Sequence, residues 1–287
     1  MLLIAEALAG DEGAAAALRL VPLVEFAHNA SLIHDDIEDN SDERRGKPAI
    51  HLIYGNDAAI NSGAFLYFLP LACLDESDLL PEQKNRIWEI WGLYMRRLHL
   101  GQAMDITWHN DFYSLPEISE YEKMCGLKTG CLARMAAVLG TECAEVRYAK
   151  NGKKLQDGLR EKLGYGAEKL GVGFQILDDV KNLKTGVPGK KRGDDITEGK
   201  KSLPVLLYLH RYPEKKEFIA ACFKAARSKG TAAAETEELI NALEKAGILE
   251  EAKKRGMELI GESREILAGL DIHAGGLLGG LIDFISA

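Results

Sequence analysis

Apolar residues recur at helical spacing along almost the whole chain, as in Leu20, Val24 and Ala27 or Ile87, Trp91, Tyr94 and Leu98, while alternating β-type runs are scarce. That period admits helices and little else, so the chain is predicted to be all-α, a bundle of long antiparallel helices. Breaks fall near Gly10 to Gly13, Gly46 to Pro48, Pro81, Leu115-Pro116, Asn151-Gly152, Gly186 to Gly193 and Pro213. None of them has the composition of an interdomain linker. The 287 residues, 46% of them hydrophobic, are therefore read as one domain over 1–287. Ala58 to Leu74 is the longest apolar stretch, but Asn61, Ser62, Gly63 and Pro70 interrupt it. It is at the short limit for a membrane span and is predicted to be a buried core helix.

Residues 28 to 48 concentrate charge behind such a helical segment. On a helix Asp35 and Asp39 lie one turn apart with Asp36 beside them, and like charges at that spacing repel. The arrangement favours a bound cation, and carboxylates that each donate one oxygen suit Mg²⁺, which keeps its remaining positions for water and phosphate. Arg44 and Arg45 follow, then Gly46 and Pro48, which turn the chain. Paired guanidinium groups beside metal-binding carboxylates suit a diphosphate. A solvated acidic helix end followed by a basic turn is the other reading of the same residues.

A long helix from Trp88 to Trp108 carries Gln102 and Asp105 as i, i+3 neighbours. Lys128-Thr129-Gly130 then interrupts an apolar helical stretch from Tyr121 to Leu139, either as a surface lysine at a helix irregularity or as part of a site. About 140 residues after the first acidic cluster comes a second, Phe174-Gln175-Ile-Leu-Asp178-Asp179, with the oxygen donor Asn182 one turn after Asp178. Two such clusters on facing helices are how bundles build metal sites. A glycine-rich basic loop, Lys184 to Asp195, and Glu198-Gly199-Lys200-Lys201 come next. Loops of this kind act as lids that bring ammonium groups onto a phosphate, although Lys191 and Lys201 read as solvated loop residues. From Tyr208 onward no site is recognisable, and the Gly-rich C-terminal segment is expected to pack on the bundle.

The net charge of −8 argues against a nucleic-acid surface. Five cysteines with no C-x-x-C pair suggest neither a disulfide framework nor a zinc site, which fits a reducing cytoplasm. The opening Met-Leu-Leu-Ile-Ala-Glu6 lacks a basic region and is interrupted by Glu6, so no signal peptide is expected.

Taken in order, Ser31-Leu-Ile-His-Asp35-Asp36-x-x-Asp39, Arg44-Arg45-Gly46-x-Pro48, Gly101-Gln102-x-x-Asp105, Lys128-Thr129-Gly130, Phe174-Gln175-Ile-x-Asp178-Asp179, Gly189-Lys190 and Glu198-Gly199-Lys200 resemble the polyprenyl synthetase family, the trans-isoprenyl diphosphate synthases. The resemblance implies a homodimeric all-α fold with the two acidic motifs facing each other across a central cavity. It implies that Asp35, Asp36, Asp39 and Asp178, with Asp179 in support, hold about three Mg²⁺ ions on the diphosphate of an allylic substrate. Arg44, Lys128, Gln175, Lys190 and Lys200 would bind that diphosphate, and His28 and Arg45 would bind isopentenyl diphosphate. Oxygen dipoles of Thr129, Gln175 and the Lys128 carbonyl would face the allylic cation.

Two departures from the family pattern stand out. Asn182 occupies a position where the family often has Asp, and the chain begins after the place of the family's Gly-Lys-Arg-x-Arg-Pro motif. Ala27, Ala30 and Ser31, all small, lie one and two turns before Asp35, where a growing product would pass. A product of C20 or longer is therefore predicted, and Ala30→Phe is predicted to shorten it. The competing readings are a non-catalytic or weakly active subunit of a heteromer, a class I terpene cyclase, and calcium binding by the acidic clusters.

Overall fold

The computed structural model describes residues 1–77, 79–150, 154–186, 191–268 and 278–283, with the side chains of 147–150 excepted. The chain opens with α1 (Leu2–Leu18), kinked at Ala9 and Gly10, and α2 (Val21–Glu38), which has Pro22 in its first turn. A two-residue hairpin follows, β1 (Glu43–Arg44) with β2 (Lys47–Pro48), its turn formed by Arg45 and Gly46 at φ of 54° and 76°. Positive φ at both central residues is what a two-residue hairpin loop requires.

Next come α3 (Ile50–Tyr54), α4 (Asn56–Phe68), a 3-10 turn at Leu69–Leu71 and α5 (Ala72–Asp75). The expectation of a buried core helix over Ala58 to Leu74 is corrected here. Pro70 converts the run to a 3-10 turn, and only 33% of the apolar window within Asn56–Asp75 is buried. That window passes the length and composition test for a span, but α4 itself has 13 residues and reaches roughly 20 Å, short of a bilayer core.

The predicted helix from Trp88 to Trp108 extends at both ends into α6 (Pro81–Asn110), with Pro81 in the first turn and Gln83 Oε1 accepting the Leu80 N–H at 3.0 Å. The Lys128 irregularity is a π-turn over Gly126–Gly130 between α7 (Ile118–Cys125) and α8 (Cys131–Lys150). The chain continues through α9 (Leu159–Lys184), α10 (Asp194–Glu198), α11 (Leu203–Arg211), α12 (Lys216–Lys229), α13 (Ala234–Lys245) and α14 (Ile248–Leu267).

The buried apolar residues form three groups. Leu20, Leu23, Trp91, Tyr94 and Met135 join α2, α6 and α8. Ile176, Phe223, Leu239, Ile240 and Leu243 join α9 to the C-terminal helices. A third group includes Leu278 and Ile282, so the described part of the C-terminal segment does pack on the bundle. Helix α14 runs antiparallel to α9, with Ile266 against Gly166 and Ile260 against Gly173. The π-turn is crossed closely by both α6 and α9, since a Cβ on Gly101 would stand 2.4 Å from the Lys128 N and one on Gly171 2.6 Å from the Gly130 Cα. Only glycine permits these crossings, and that of α9 sets Lys128, Thr129 and Gln175 side by side.

Candidate functional site

The end of α2 gathers Asp35, Asp36 and Glu38 in its last turn and Asp39 at its C-cap, with no basic residue in that turn. Carboxylates there oppose the negative pole of the helix dipole, so their cations must come from elsewhere in the fold. Lys128 supplies one, its Nζ 3.0 Å from Asp35 Oδ1 and 2.6 Å from Asp105 Oδ2. Burial pulls its pKa down, but Asp105 and Asp35 outweigh burial and hold the ammonium protonated well above its ordinary range. Asp105 is buried too, yet Lys128 keeps its carboxyl below the usual value. Gln102 Nε2 also donates to Asp35 at 3.0 Å and to Glu38 at 2.6 Å.

Asp36 behaves differently from its neighbour. It is 2% exposed and accepts from Arg44 Nε at 2.9 Å. The hairpin thus folds Arg44 back onto α2, leaving Arg45 Nη2 3.5 Å from His28 Nε2. Burial, and then Arg45, lower the His28 pKa. Asp36 is therefore placed as the anchor of Arg44, its Oδ1 taken by that guanidinium; like Asp39, it does not border the central cavity.

Asp39 is met by Lys200, 2.8 Å from Nζ to Oδ2. Its buried Oδ1 has no hydrogen-bond partner, and His109 Nδ1 stands 4.0 Å away. On the facing helix α9, Gln175 Nε2 donates to Asp179 Oδ1 at 2.9 Å, while Gln175 Oε1 accepts from the Thr129 hydroxyl at 2.8 Å. The Tyr121 hydroxyl donates to Asp179 Oδ2 at 2.6 Å. Burial and then the neighbouring Asp195 push the Asp179 carboxyl up to about 7.

Asn182 does not face this group. Its Oδ1 accepts the Asp195 N–H at 3.3 Å and its carbonyl accepts the Gly193 N–H at 3.1 Å. It ties residues 193 to 195 to α9, which corrects the expectation of an oxygen donor for Mg²⁺. Lys190 and Gly189 lie outside the described residues. The reading of Lys201 as a solvated loop residue is overturned, since it is 2% exposed.

These elements enclose a cavity of about 550 Å³. Asp35, Arg44, Lys128, Asp178, Asp179 and Lys200 line one part, and Leu32, Leu98, Leu132, Ala133 and Leu170 line another. His28, Ser31, Thr129 and Gln175 also border it. Ala27 and Ala30 do not, because both are fully buried in the packed group with Leu23 and Tyr94. Tyr121 and Asp195 line the cavity and were missed from the sequence. Tyr121, Met124 and Lys128 stand at i, i+3 and i+7, a signal that would have found the first. Asp195 is brought in by a tertiary turn that leaves no local pattern.

The donor set fits a hard divalent cation. Its oxygens are carboxylates, one of them a buried orphan on Asp39, and Asp179 and Asp195 crowd like charges together. Among the described residues no three His, Cys, Asp or Glu groups converge on one point.

The profile of the polyprenyl synthetase family matches residues 1–243. The chain is 36% identical over 199 residues to the geranylgeranyl pyrophosphate synthase paxG of Penicillium paxilli, covering 69% of this chain and 48% of that relative. It spans about half to two thirds of the length of the curated relatives it matches. The geranylgeranyl pyrophosphate synthetase of Pyrococcus horikoshii superposes with a TM-score of 0.85 at 29% identity, covering 99% of this chain and 83% of that one. A polyprenyl synthase of Caulobacter crescentus, solved with calcium and isoprenyl diphosphate, gives 0.81 at 26% identity, covering 99% of this chain and 81% of that one. The fold is thus shared with these proteins, and the family profile covers most of the chain, so the chain belongs to the polyprenyl synthetase family.

Proposed function

We propose that this chain is a Mg²⁺-dependent prenyltransferase that condenses isopentenyl diphosphate with an allylic prenyl diphosphate to give an all-trans product of C20 or longer. One observation carries the reading: a single cavity joins two acidic helices and four cations, Arg44, Lys128, Lys200 and Lys201, to an apolar interior. A diphosphate suits the first part and a hydrocarbon tail the second. The geranylgeranyl relatives and the calcium and isoprenyl diphosphate in the Caulobacter enzyme support the assignment of substrate class and of divalent metal.

Asp35, Asp39 and Asp178 would hold the metal, about three ions per site, and bound Mg²⁺ would neutralise charge on the leaving diphosphate. The chain's own residues do the rest. Breaking the allylic C–O bond leaves its electron pair on the diphosphate, where Arg44, Lys128 and Lys200 stand in place to stabilise it. The Thr129 hydroxyl, whose hydrogen is engaged by Gln175, presents oxygen lone pairs and no free nucleophile to the allylic cation. His28 and Arg45 are suited to the second diphosphate. The double bond of isopentenyl diphosphate attacks the cation to form the new C–C bond, and the proton then lost goes to the departing diphosphate.

Purified protein incubated with Mg²⁺, labelled isopentenyl diphosphate and C5, C10, C15 or C20 allylic diphosphates is expected to elongate them, and EDTA to stop it. Binding without elongation would favour the non-catalytic subunit, and a cyclised product the terpene cyclase. Of the three small residues on α2 only Ser31 reaches the cavity, so Ser31→Phe is the substitution expected to shorten the product, checked by sizing the reaction products. Ala30→Phe instead overpacks a closed core, at a cost of about 1–3 kcal/mol.

Exposed apolar side chains recur on the contacting helices α3 and α4: Ile53, Tyr54, Ile60, Phe65 and Phe68. A patch of that kind favours self-association over solvent, and we assign it to a homodimer. Sedimentation should give a dimer for the native chain and a monomer for Phe65→Glu/Phe68→Glu; a native monomer would refute the assignment.

A further inference from the structure

Lys201 is a buried cation that neither acidic helix neutralises. Its Nζ donates to the carbonyls of Gly199 at 2.9 Å and Trp108 at 3.1 Å, and it lies 4.6 Å from the centre of the Phe223 ring. Lys128 and Lys200 sit against carboxylates, but among the described residues none lies within ion-pair distance of Lys201. A buried ammonium with only neutral partners is costly to maintain. Burial, and then Arg227, lower its pKa to about 8. It lines the same cavity as Lys128, Lys200 and Asp178.

Its anchorage gives a second line of argument. Arg227 on α12 donates to the His109 carbonyl at 2.8 Å and to the Glu198 carbonyl at 2.5 Å. Lys201 and Arg227 together tie Glu198 and Gly199 to the last turn of α6 through the Trp108 and His109 carbonyls. The turn leaves no room for adjustment: Gly199 has φ of +80°, and a Cβ there would stand 3.0 Å from the His109 carbonyl oxygen. Lys200 is the next residue, and this fixed turn delivers its Nζ to Asp39.

We propose that Lys201 is a positioning residue of the diphosphate site, holding the Lys200 turn on α6 and supplying a positive charge for which the bound diphosphate is the counter-ion. The inference rests on the reading that the cavity takes a diphosphate. It assigns a function to a lysine that the sequence pattern left in a solvated loop.

Lys201→Met keeps the side-chain length and its contact with Phe223 while removing charge and hydrogen bonds. Calorimetric titration with inorganic diphosphate and Mg²⁺ at pH 7 is expected to show binding weakened about tenfold in Lys201→Met, with a thermal midpoint equal to or above that of the native chain. Native affinity should also fall as pH rises through about 8, where Lys201 loses its proton, and this fall should be absent from the variant. The charged groups facing Lys201 are Arg227 on α12, Asp111 after α6 and Asp105 on α6, and both proteins retain them. Equal affinities at pH 7, or identical pH profiles, would overturn the proposal. A native chain that shows this Lys201-dependent binding yet elongates no allylic diphosphate would refute the prenyltransferase reading and support the role of Lys201. A native chain that binds no diphosphate would overturn both.

Discussion

Asp35→Asn should lower kcat/KM for elongation by about a thousandfold or more while the protein stays folded. The carboxylate is the point where Lys128, Gln102 and, at 3.7 Å, Arg44 converge. An amide keeps an oxygen for Gln102, and Lys128 keeps Asp105, so little packing is disturbed. What disappears is a negative oxygen for a divalent cation, and metal stabilisation of a leaving group contributes several kcal/mol to the barrier. Asp36→Asn is the matched comparison. Because Asp36 is spent on Arg44, its loss should raise KM for the allylic diphosphate and leave the Mg²⁺ requirement unchanged. Steady-state kinetics at varied Mg²⁺ separate the two, and an equal loss of metal dependence in both variants would refute the division of labour between neighbouring carboxylates.

The second large effect is on stability. Lys128→Ala leaves Asp105, only 6% exposed, without its cation. Stranding a buried charge costs about 3–5 kcal/mol, which lowers Tm by roughly 10 °C in a chain of this size. Lys128→Met/Asp105→Leu removes both charges and should recover most of that loss, since a buried pair is often replaceable by apolar residues. Activity should not return, because Asp35 and the diphosphate would still lack the ammonium. Thermal melts of the two variants check this; a double variant no more stable than Lys128→Ala would mean that the pair is not the source of the loss.

Much of this site could be read before the fold was known, for a definite reason. Asp35 with Asp39, Asp178 with Asp179, and Gln102 with Asp105 are short-range patterns on single helices, and helical spacing alone puts each pair on a shared or adjacent face. The readings that changed depended on partners far along the chain. Asp36 could not be told from Asp35 until the hairpin returned Arg44 to it. Asn182 resembled a ligand because its true partner, the Asp195 N–H, lies beyond a loop. Lys201 resembled a solvated lysine because the α6 carbonyl it binds, that of Trp108, is 93 residues away. Ala27 and Ala30 are fully buried in the packed group that also holds Leu23 and Tyr94, a demand for small side chains that sequence spacing does not separate from an open passage for product. The apolar run from Ala58 was assigned to the core on composition, and composition does not distinguish a core from an exposed association face.

The most direct test of the central claim, that Asp35, Asp39 and Asp178 hold divalent metal against a diphosphate, is anomalous diffraction from crystals grown with Mn²⁺ and an inert allylic diphosphate analogue. Peaks roughly 2.1 Å from those three carboxylates, each shared with a diphosphate oxygen and none on Asp36 or Asn182, are the expected result. Metal on Asp36 or Asn182, or a diphosphate bound by Arg44, Lys128 and Lys200 with no metal between it and the acidic helices, would contradict it.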